Sequence, residues 1–384
     1  MKARGWSLSA CALSICVAAA SLALTVPQAA AAGAASGAQY PTVPDRLYGV
    51  AAVSADDVWA VGLYPTGSLA LNWNGSTWAE YETANGYYNG VAASSAADVW
   101  AVGGTNWGSP SAPLAEHWNG SSWTDVATPD PPGGGYFNSV AATSPSNAWA
   151  VGAVAPGGPG VPAATTPLIE HWNGKTWTIQ HVQDPPHGGL LNSVAATSAS
   201  DAWAVGWTGP NSGASGTLIE HWNGKTWTRV PSPNLPGSGK SFLKGVTAIS
   251  AGNAWAVGAA VVGNVEHTLT MDWNGEKWTY APSPTPGGDS SLQGVTFSWT
   301  NNIWAFGYTN PSRCSSGGPP CQTLIEHWNS IHQRWSVIPS PNPPAGYLNQ
   351  LEAGAAVSRT DIWAVGTTDY ASTLVVHWNG TSWS

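Results

Sequence analysis

Five histidines, His117, His171, His221, His327 and His377, each stand directly before a tryptophan, and in four of these places a glutamate precedes the histidine (Glu116, Glu170, Glu220, Glu326). Histidine beside a carboxylate is the raw material of acid–base catalysis and of metal binding. The spacing argues otherwise. The five recur about once per repeat unit, so they occupy equivalent places in different units, many ångströms apart. One metal ion needs its ligands within about 2 Å. Neither a metal nor a cofactor is therefore expected, and the histidines read as packing or hydrogen-bonding groups. Asp57, Asp98, Asp201 and Asp361, with Asn147, Asn253 and Asn302 in the other units, read as turn caps accepting backbone N–H groups. An enzyme would need residues that break the repeat. The irregular carboxylates are Glu80, Glu82, Asp125, Asp130, Asp184, Glu266, Asp289, Glu352 and Asp369. A glycosidase would bring two of them to about 5 to 9.5 Å from each other. No Gly-x-Ser-x-Gly, His-Glu-x-x-His or phosphate-binding loop is present, and His267 and His332 have no evident partner in the sequence. No catalytic set is assigned.

What must position these residues is the repeat itself. An Asp/Asn-x-Trp-Ala-(Val/Phe)-Gly element occurs seven times, at Asp57–Gly62, Asp98–Gly103, Asn147–Gly152, Asp201–Gly206, Asn253–Gly258, Asn302–Gly307 and Asp361–Gly366. A second element supplies paired tryptophans: Trp73/Trp78, Trp118/Trp123, Trp172/Trp177, Trp222/Trp227, Trp273/Trp278, Trp328/Trp335 and Trp378/Trp383. The step between first elements is 41 to 59 residues, the period of an array of supersecondary units. Within a unit, a run such as Leu47–Val53 leads through a Ser/Asp turn cluster to Val58–Gly62. After a variable loop, Leu69–Trp73 and Trp78 flank Asn74-Gly75, a hairpin signal that predicts a type I′ turn. These are four strands, named a to d. No segment has helical periodicity, and Pro/Gly clusters separate the units. The expected fold is all-β: a seven-bladed β-propeller of four-stranded antiparallel blades, at about 47–86, 87–135, 136–189, 190–240, 241–290, 291–346 and 347–384. Along strand b, Trp203 and Val205 share one face and Ala202 and Ala204 the other, bulky against small, as wedge-like stacked blades require. The seventh unit ends at Ser384, short of a full strand d, and the 33–46 segment, through Tyr40–Pro44, is expected to pair there and close the ring.

The Trp-Asn-Gly-x-x-Trp element with its preceding Asp/Asn-x-Trp-Ala-Val-Gly resembles the repeat of secreted actinobacterial propeller proteins described as kelch-like or galactose-oxidase-like. It is also similar to the Trp-Asp-Gly-x-x-Trp blade repeat of bacterial seven-bladed lectins of the Photorhabdus type. The second resemblance implies sugar binding in pockets between blades, although the shared residues are hairpin and packing positions. Strand b lacks the Gly-Gly doublet of a true kelch repeat. Gly174–Trp177 matches the tail of the sialidase Asp-box, with Trp172 where that motif has its Asp.

Composition bounds the partners. Lys2 and Arg4, an apolar run from Leu8 to Val26 and the small residues of Gln28–Ala32 have the layout of a signal peptide over 1–32, so the protein is expected to be secreted and extracellular. Without Lys2 and Arg4, 10 basic and 21 acidic residues leave a net charge of 10 − 21 = −11, which argues against nucleic acid. No later apolar run is long enough for a membrane span. Cys314 and Cys321, six residues apart, read as a disulfide in an oxidising compartment.

In such a ring the a/b and c/d turns emerge on one face and the b/c and d/a loops on the other. The turns are nearly constant, whereas the interval from strand b Gly to strand c Trp runs from 11 residues (Gly62 to Trp73) to 21 (Gly307 to Trp328). Variation confined to one face of a rigid scaffold marks the expected binding surface. Tyr64, Trp107, Trp207, Tyr308 and Tyr370 sit on it at or after strand b, with Tyr136 and Tyr347 in d/a loops. Flat rings beside hydroxyl and amide side chains suit sugars. The sequence therefore reads as a secreted, monomeric, non-catalytic module for carbohydrate or cell-surface glycan. A glycan-degrading hydrolase or lyase with carboxylates at the channel mouth is the alternative reading, and a scaffold for other exported proteins is a second one.

Overall fold

A computed structural model describes residues 23–24 and 46–384, apart from 66, 84–85, 107–110, 156–163, 210–214, 301, 310–319, 344–347 and 370–371. Among these residues there is no helix. Seven antiparallel sheets follow one another along the chain, each in the order a-b-c-d. Blade 1 has strands at Arg46–Ser54, Asp57–Tyr64, Gly67–Trp73 and Trp78–Tyr81, and blade 4 at Gly189–Ser198, Asp201–Thr208, Gly216–Trp222 and Trp227–Arg229. Blades 2, 3, 5 and 6 repeat the plan, with strand a at Tyr87–Ser95, Gly135–Ser144, Lys240–Ser250 and Ser290–Trp299. In blade 7, strand a is Asn349–Ser358, and strand d is reduced to Trp383, bridged to Trp378, and a reciprocal bond pair between Ser384 and His377. The two-residue strand Ala23–Leu24 adds to the outer edge of blade 1.

Each strand a neighbours the strand a of the blades on either side, blade 7 against blade 1 included, so these strands surround the axis. What holds blade to blade is a set of three indoles. The strand b tryptophan packs on the strand c and strand d tryptophans of the next blade, at 4.8–5.5 Å and 5.0–5.7 Å between centroids. The strand d rings meet it edge to face, which sets a positive rim against a negative ring face. Trp203 and Val205 share a core with blade 5, while Ala202 and Ala204 face blade 3, as the alternation along strand b requires. The seventh set, Trp363 on Trp73 and Trp78, closes the circle. Residues 40–44, expected to latch the ring, lie outside the described residues.

Two local features depart from the sequence reading. The Asn-Gly hairpin is not type I′, because only its glycine has positive φ (86° at Gly75, 88° at Gly224), and the asparagine stays in the ordinary region. Asn74 instead uses its side-chain oxygen to accept the backbone N–H groups of Ser76 and Thr77, both at 3.0 Å, in a four-residue loop. The strand b aspartates do not act through backbone caps either. Asp201 accepts from the Thr197 hydroxyl and meets His221 Nε2 at 2.8 Å, and the imidazole stacks on Trp203 at 4.1 Å. The a/b turn is capped by serine, as where the Ser198 hydroxyl accepts the Ser200 N–H at 3.2 Å. Strand a also carries a bulge opposite the strand b glycine. There the backbone comes so close that a Cβ on Gly62 would lie 1.7 Å from the Arg46 carbonyl oxygen, which is why that element ends in glycine.

Candidate functional site

The bulge introduces one extra residue per blade near the axis, on the b/c and d/a loop side: Tyr48, Asn89, Asn138, Asn192, Lys244, Gln293 and Glu352. In blades 2, 3 and 4 the asparagine is structural. Asn89, Asn138 and Asn192 each donate an Nδ2–H to the strand a carbonyl of the next blade, Phe137, Leu191 and Leu243, at 2.7 to 2.8 Å. These bonds tie neighbouring blades where the backbones approach so closely that a Cβ on Gly90 would sit 2.9 Å from the Ser139 Cα. Blades 5, 6, 7 and 1 abandon this device. They place an ammonium, an amide, a carboxylate and a phenol at the same level.

Charges gather on that half of the ring. Glu352 is half-buried, and its pKa is raised by burial, against the pull of Lys244, the Gln350 amide that bonds to it, and Arg46. Burial also raises Tyr48, with Arg46 opposing the shift and Glu352 reinforcing it. Glu266 is raised by burial, opposed by Lys244 and by a bond from Ser291, and its backbone N–H donates to Asp289 Oδ1 at 2.9 Å. Lys244 thus lies within electrostatic reach of two carboxylates from different blades, Glu266 and Glu352. Two of the irregular carboxylates picked out in the sequence thus feel the charge of the same lysine. The remainder of the cluster, Arg46, Tyr48, Lys244 and Gln293, was not visible beforehand. Its signal is a polar residue between the apolar start of strand a and the following small residue, which differs from Asn in four of seven units.

The aromatic residues proposed from sequence are dispersed. Tyr64 packs at the core shared by blades 1 and 7. Trp207, half-buried, meets Phe242 of blade 5 edge to face at 5.9 Å. Tyr308 lies in blade 6. No ring contact joins these three among the described residues. Trp107 and Tyr370 fall outside the described residues, as does Tyr347. Cys321 is buried, and Cys314 lies outside the described residues.

The histidines are engaged in the blades. Nε2 of His117, His171, His221 and His377 lies 2.6 to 2.8 Å from Asp98, Asn147, Asp201 and Asp361, and His327 pairs with Asn302. Burial alone lowers the pKa of His171 and His327. Burial works upward on Asp98, but the bonds from His117 and Ser94 outweigh it and leave the carboxyl below its ordinary range. The glutamates beside them face the preceding blade. Glu116 accepts the Tyr88 hydroxyl, whereas both oxygens of Glu170 and Glu220 are buried with no protein hydrogen-bond donor, and Glu326 is buried with the Ser283 hydroxyl beside it. Burial pushes their pKa values up to about 8, about 7 and about 8. Among the described residues no three metal-ligating side chains come together, and no helix is long and apolar enough to cross a membrane.

No family model matches the sequence, and no curated protein is similar to it. Solved structures are similar in fold. A structure described as an ulvan lyase, a polysaccharide lyase, superposes with a TM-score of 0.58 at 10% identity, over 90% of this chain and 96% of that one. YCF48 bound to D1 peptide gives 0.56 at 14% identity, over 88% and 93%. The WD40 propeller of Doa1 gives 0.56 at 12%, over 88% and 94%. At these identities the likeness establishes the β-propeller fold alone.

Proposed function

We propose that this protein is a non-catalytic recognition module that takes a carbohydrate at the axial mouth of its variable-loop face. The observation that carries this reading is the break in the ring: Asn89, Asn138 and Asn192 are used to join blades, while Tyr48, Lys244, Gln293 and Glu352 are released from that task. A repeat protein gives up a structural group where the position serves something else. Ammonium, amide, carboxylate and phenol side by side are the donors and acceptors that hydroxyl-rich ligands require. Trp207 and Tyr308 stand at the ends of strands b in blades 4 and 6, on the same side of the ring as the bulge. Two fold neighbours were solved with ligands, one a peptide and one a -[GlcA(1-4)Rha3S]- saccharide. Secretion by the 1–32 leader and a Cys314–Cys321 disulfide belong to the same reading.

A second reading, glycan cleavage, is favoured by one observation. Burial raises the pKa values of Glu352 and Glu266, so each can hold the proton that a general acid must donate. A glycan array probed with the wild-type chain, Trp207→Ala and the pair Lys244→Ala/Glu352→Gln tests both. Binding lost in the pair supports the first reading, and shortened glycans released only by the wild type support the second. Hits that persist unchanged in every variant would refute the axial site.

A further inference from the structure

The opposite face, made of a/b and c/d turns, is near-constant in sequence except in blade 6. Strand a ends on serine in the other six blades, and in five of them the hydroxyl caps the turn: Ser54, Ser95, Ser144, Ser198 and Ser358 accept a backbone N–H two residues on, at 3.2 to 3.4 Å. Blade 6 places Trp299 there, 60% exposed. An indole that has replaced a turn-forming hydroxyl contributes nothing to its own hairpin and leaves a large apolar surface in water. From the next turn, in blade 7, Arg359 lays its guanidinium over the ring at 5.0 Å from the centroid. The backbone of Arg359 is held in place, since its carbonyl accepts Trp378 Nε1–H at 3.2 Å. No carboxylate among the described residues pairs with this arginine, in a chain of net charge −9. Ring and guanidinium line an open cleft of about 550 Å³ completed by Ser298, Val357, Ser358 and Thr360.

We infer that this cleft between blades 6 and 7 is a second ligand site, taking an acidic saccharide that carries a carboxylate or sulfate. The guanidinium offers two parallel N–H groups to a planar anion. The indole offers a flat apolar surface to the C–H face of a pyranose. The Ser358 and Thr360 hydroxyls, 3.3 Å apart, stand at the rim for ring hydroxyls. A peptide is less well served: beyond one ring and Val357 the cleft has no apolar pocket, and the two strands that border it end there in turns. The site is separate from the axial mouth, at the other end of strand a.

Trp299→Ser tests it without risking the fold, because it restores the residue the other blades use. Titration calorimetry of the full chain with a uronate tetrasaccharide, its carboxyl-reduced neutral form and an acidic tetrapeptide gives the readout. The wild type binds the uronate, more weakly as salt is raised. Trp299→Ser and Arg359→Gln each weaken binding by about tenfold or more, Arg359→Lys falls between, and Lys225→Ala, an exposed change in the c/d turn of blade 4 on the same face, leaves it unchanged. Equal binding by Trp299→Ser and wild type, an equal loss in Lys225→Ala, tighter binding of the peptide, or no binding of the uronate would each overturn the inference.

Discussion

Replacing Glu170 by Gln should remove a pH dependence that the buried glutamates impose on the ring. Glu170 is fully buried between blades 2 and 3 with neither oxygen bonded to a protein donor, and its pKa rises from 4.5 to about 8. A raised acid pKa means the folded state holds a proton that the unfolded chain releases. Stability contributed at low pH is therefore lost as pH climbs from the unfolded value through the folded one. The difference is 8 − 4.5 = 3.5 pKa units, or about 5 kcal/mol at about 1.4 kcal/mol per unit, and about 3.5 kcal/mol of it falls between pH 5 and pH 8. Glu326 behaves alike, and Glu220, raised to about 7, contributes less. Gln has nearly the shape of the protonated acid and cannot ionise. Urea unfolding at pH 5, 6, 7 and 8 should show the wild type losing stability with rising pH. Glu170→Gln should match it at pH 5 and exceed it by a few kcal/mol at pH 8. Parallel curves for the two proteins would refute the reasoning, as would a wild type that gains stability with pH. The sequence contains its own precedent: blades 5, 7 and 1 place Met271, Val376 and Leu71 at this position, all buried.

Other outcomes follow from the same geometry. Trp363→Ala and Trp203→Ala should each cost about 3–5 kcal/mol in denaturant unfolding; a far smaller loss for Trp363 would mean that something other than the seventh indole set closes the ring. Gly206→Ala forces a Cβ to 1.9 Å from the Leu190 carbonyl oxygen and should lower stability by about 3 kcal/mol or more, read as a fall in Tm. Asn138→Ala should lower stability by about 1 kcal/mol through loss of its bond to Leu191, whereas Lys244→Ala should change it little while altering ligand binding. His221→Ala, which leaves Asp201 with the Thr197 hydroxyl alone, should destabilise by about 1–2 kcal/mol with no effect on glycan binding.

Much of this architecture was legible because the tryptophans are a count in themselves: seven Asp/Asn-x-Trp elements and seven Trp pairs announce seven blades. The alternation of Trp203 and Val205 with Ala202 and Ala204 also states which side of each sheet is bulky. The identical placement of the histidines argued for a structural role, and the structure pairs each with an Asp or Asn of strand b. What was hidden is geometry that a period-2 pattern cannot carry. The bulge adds a residue without a hydrophobic signature, so the pattern does not set Lys244 and Glu352 at one level of the ring. An Asn-Gly pair signals positive φ at both residues, yet the Asn74 side chain, not its backbone dihedral, shapes the loop. Trp299 is silent for a different reason: loop lengths mark one face as variable, whereas a substitution within a turn of constant length leaves no such trace.

Both candidate sites arise in the same part of the ring, and this has a physical basis. Blades 2, 3 and 4 are close copies, with inter-blade Asn bonds, serine-capped turns and Trp-on-Trp contacts all present. Indole packing is the part that never varies: blades 5, 6, 7 and 1 retain every set. At about 2–3 kcal/mol of apolar burial per indole, three rings per interface outweigh a single amide bond of about 1 kcal/mol or one turn cap. The smaller terms are therefore the ones a blade can give up without opening the ring. Lys244, Glu352 and Trp299 occupy positions where only such a term was lost. Function on this scaffold is to be sought where the minor stabilising groups are missing and the tryptophans remain.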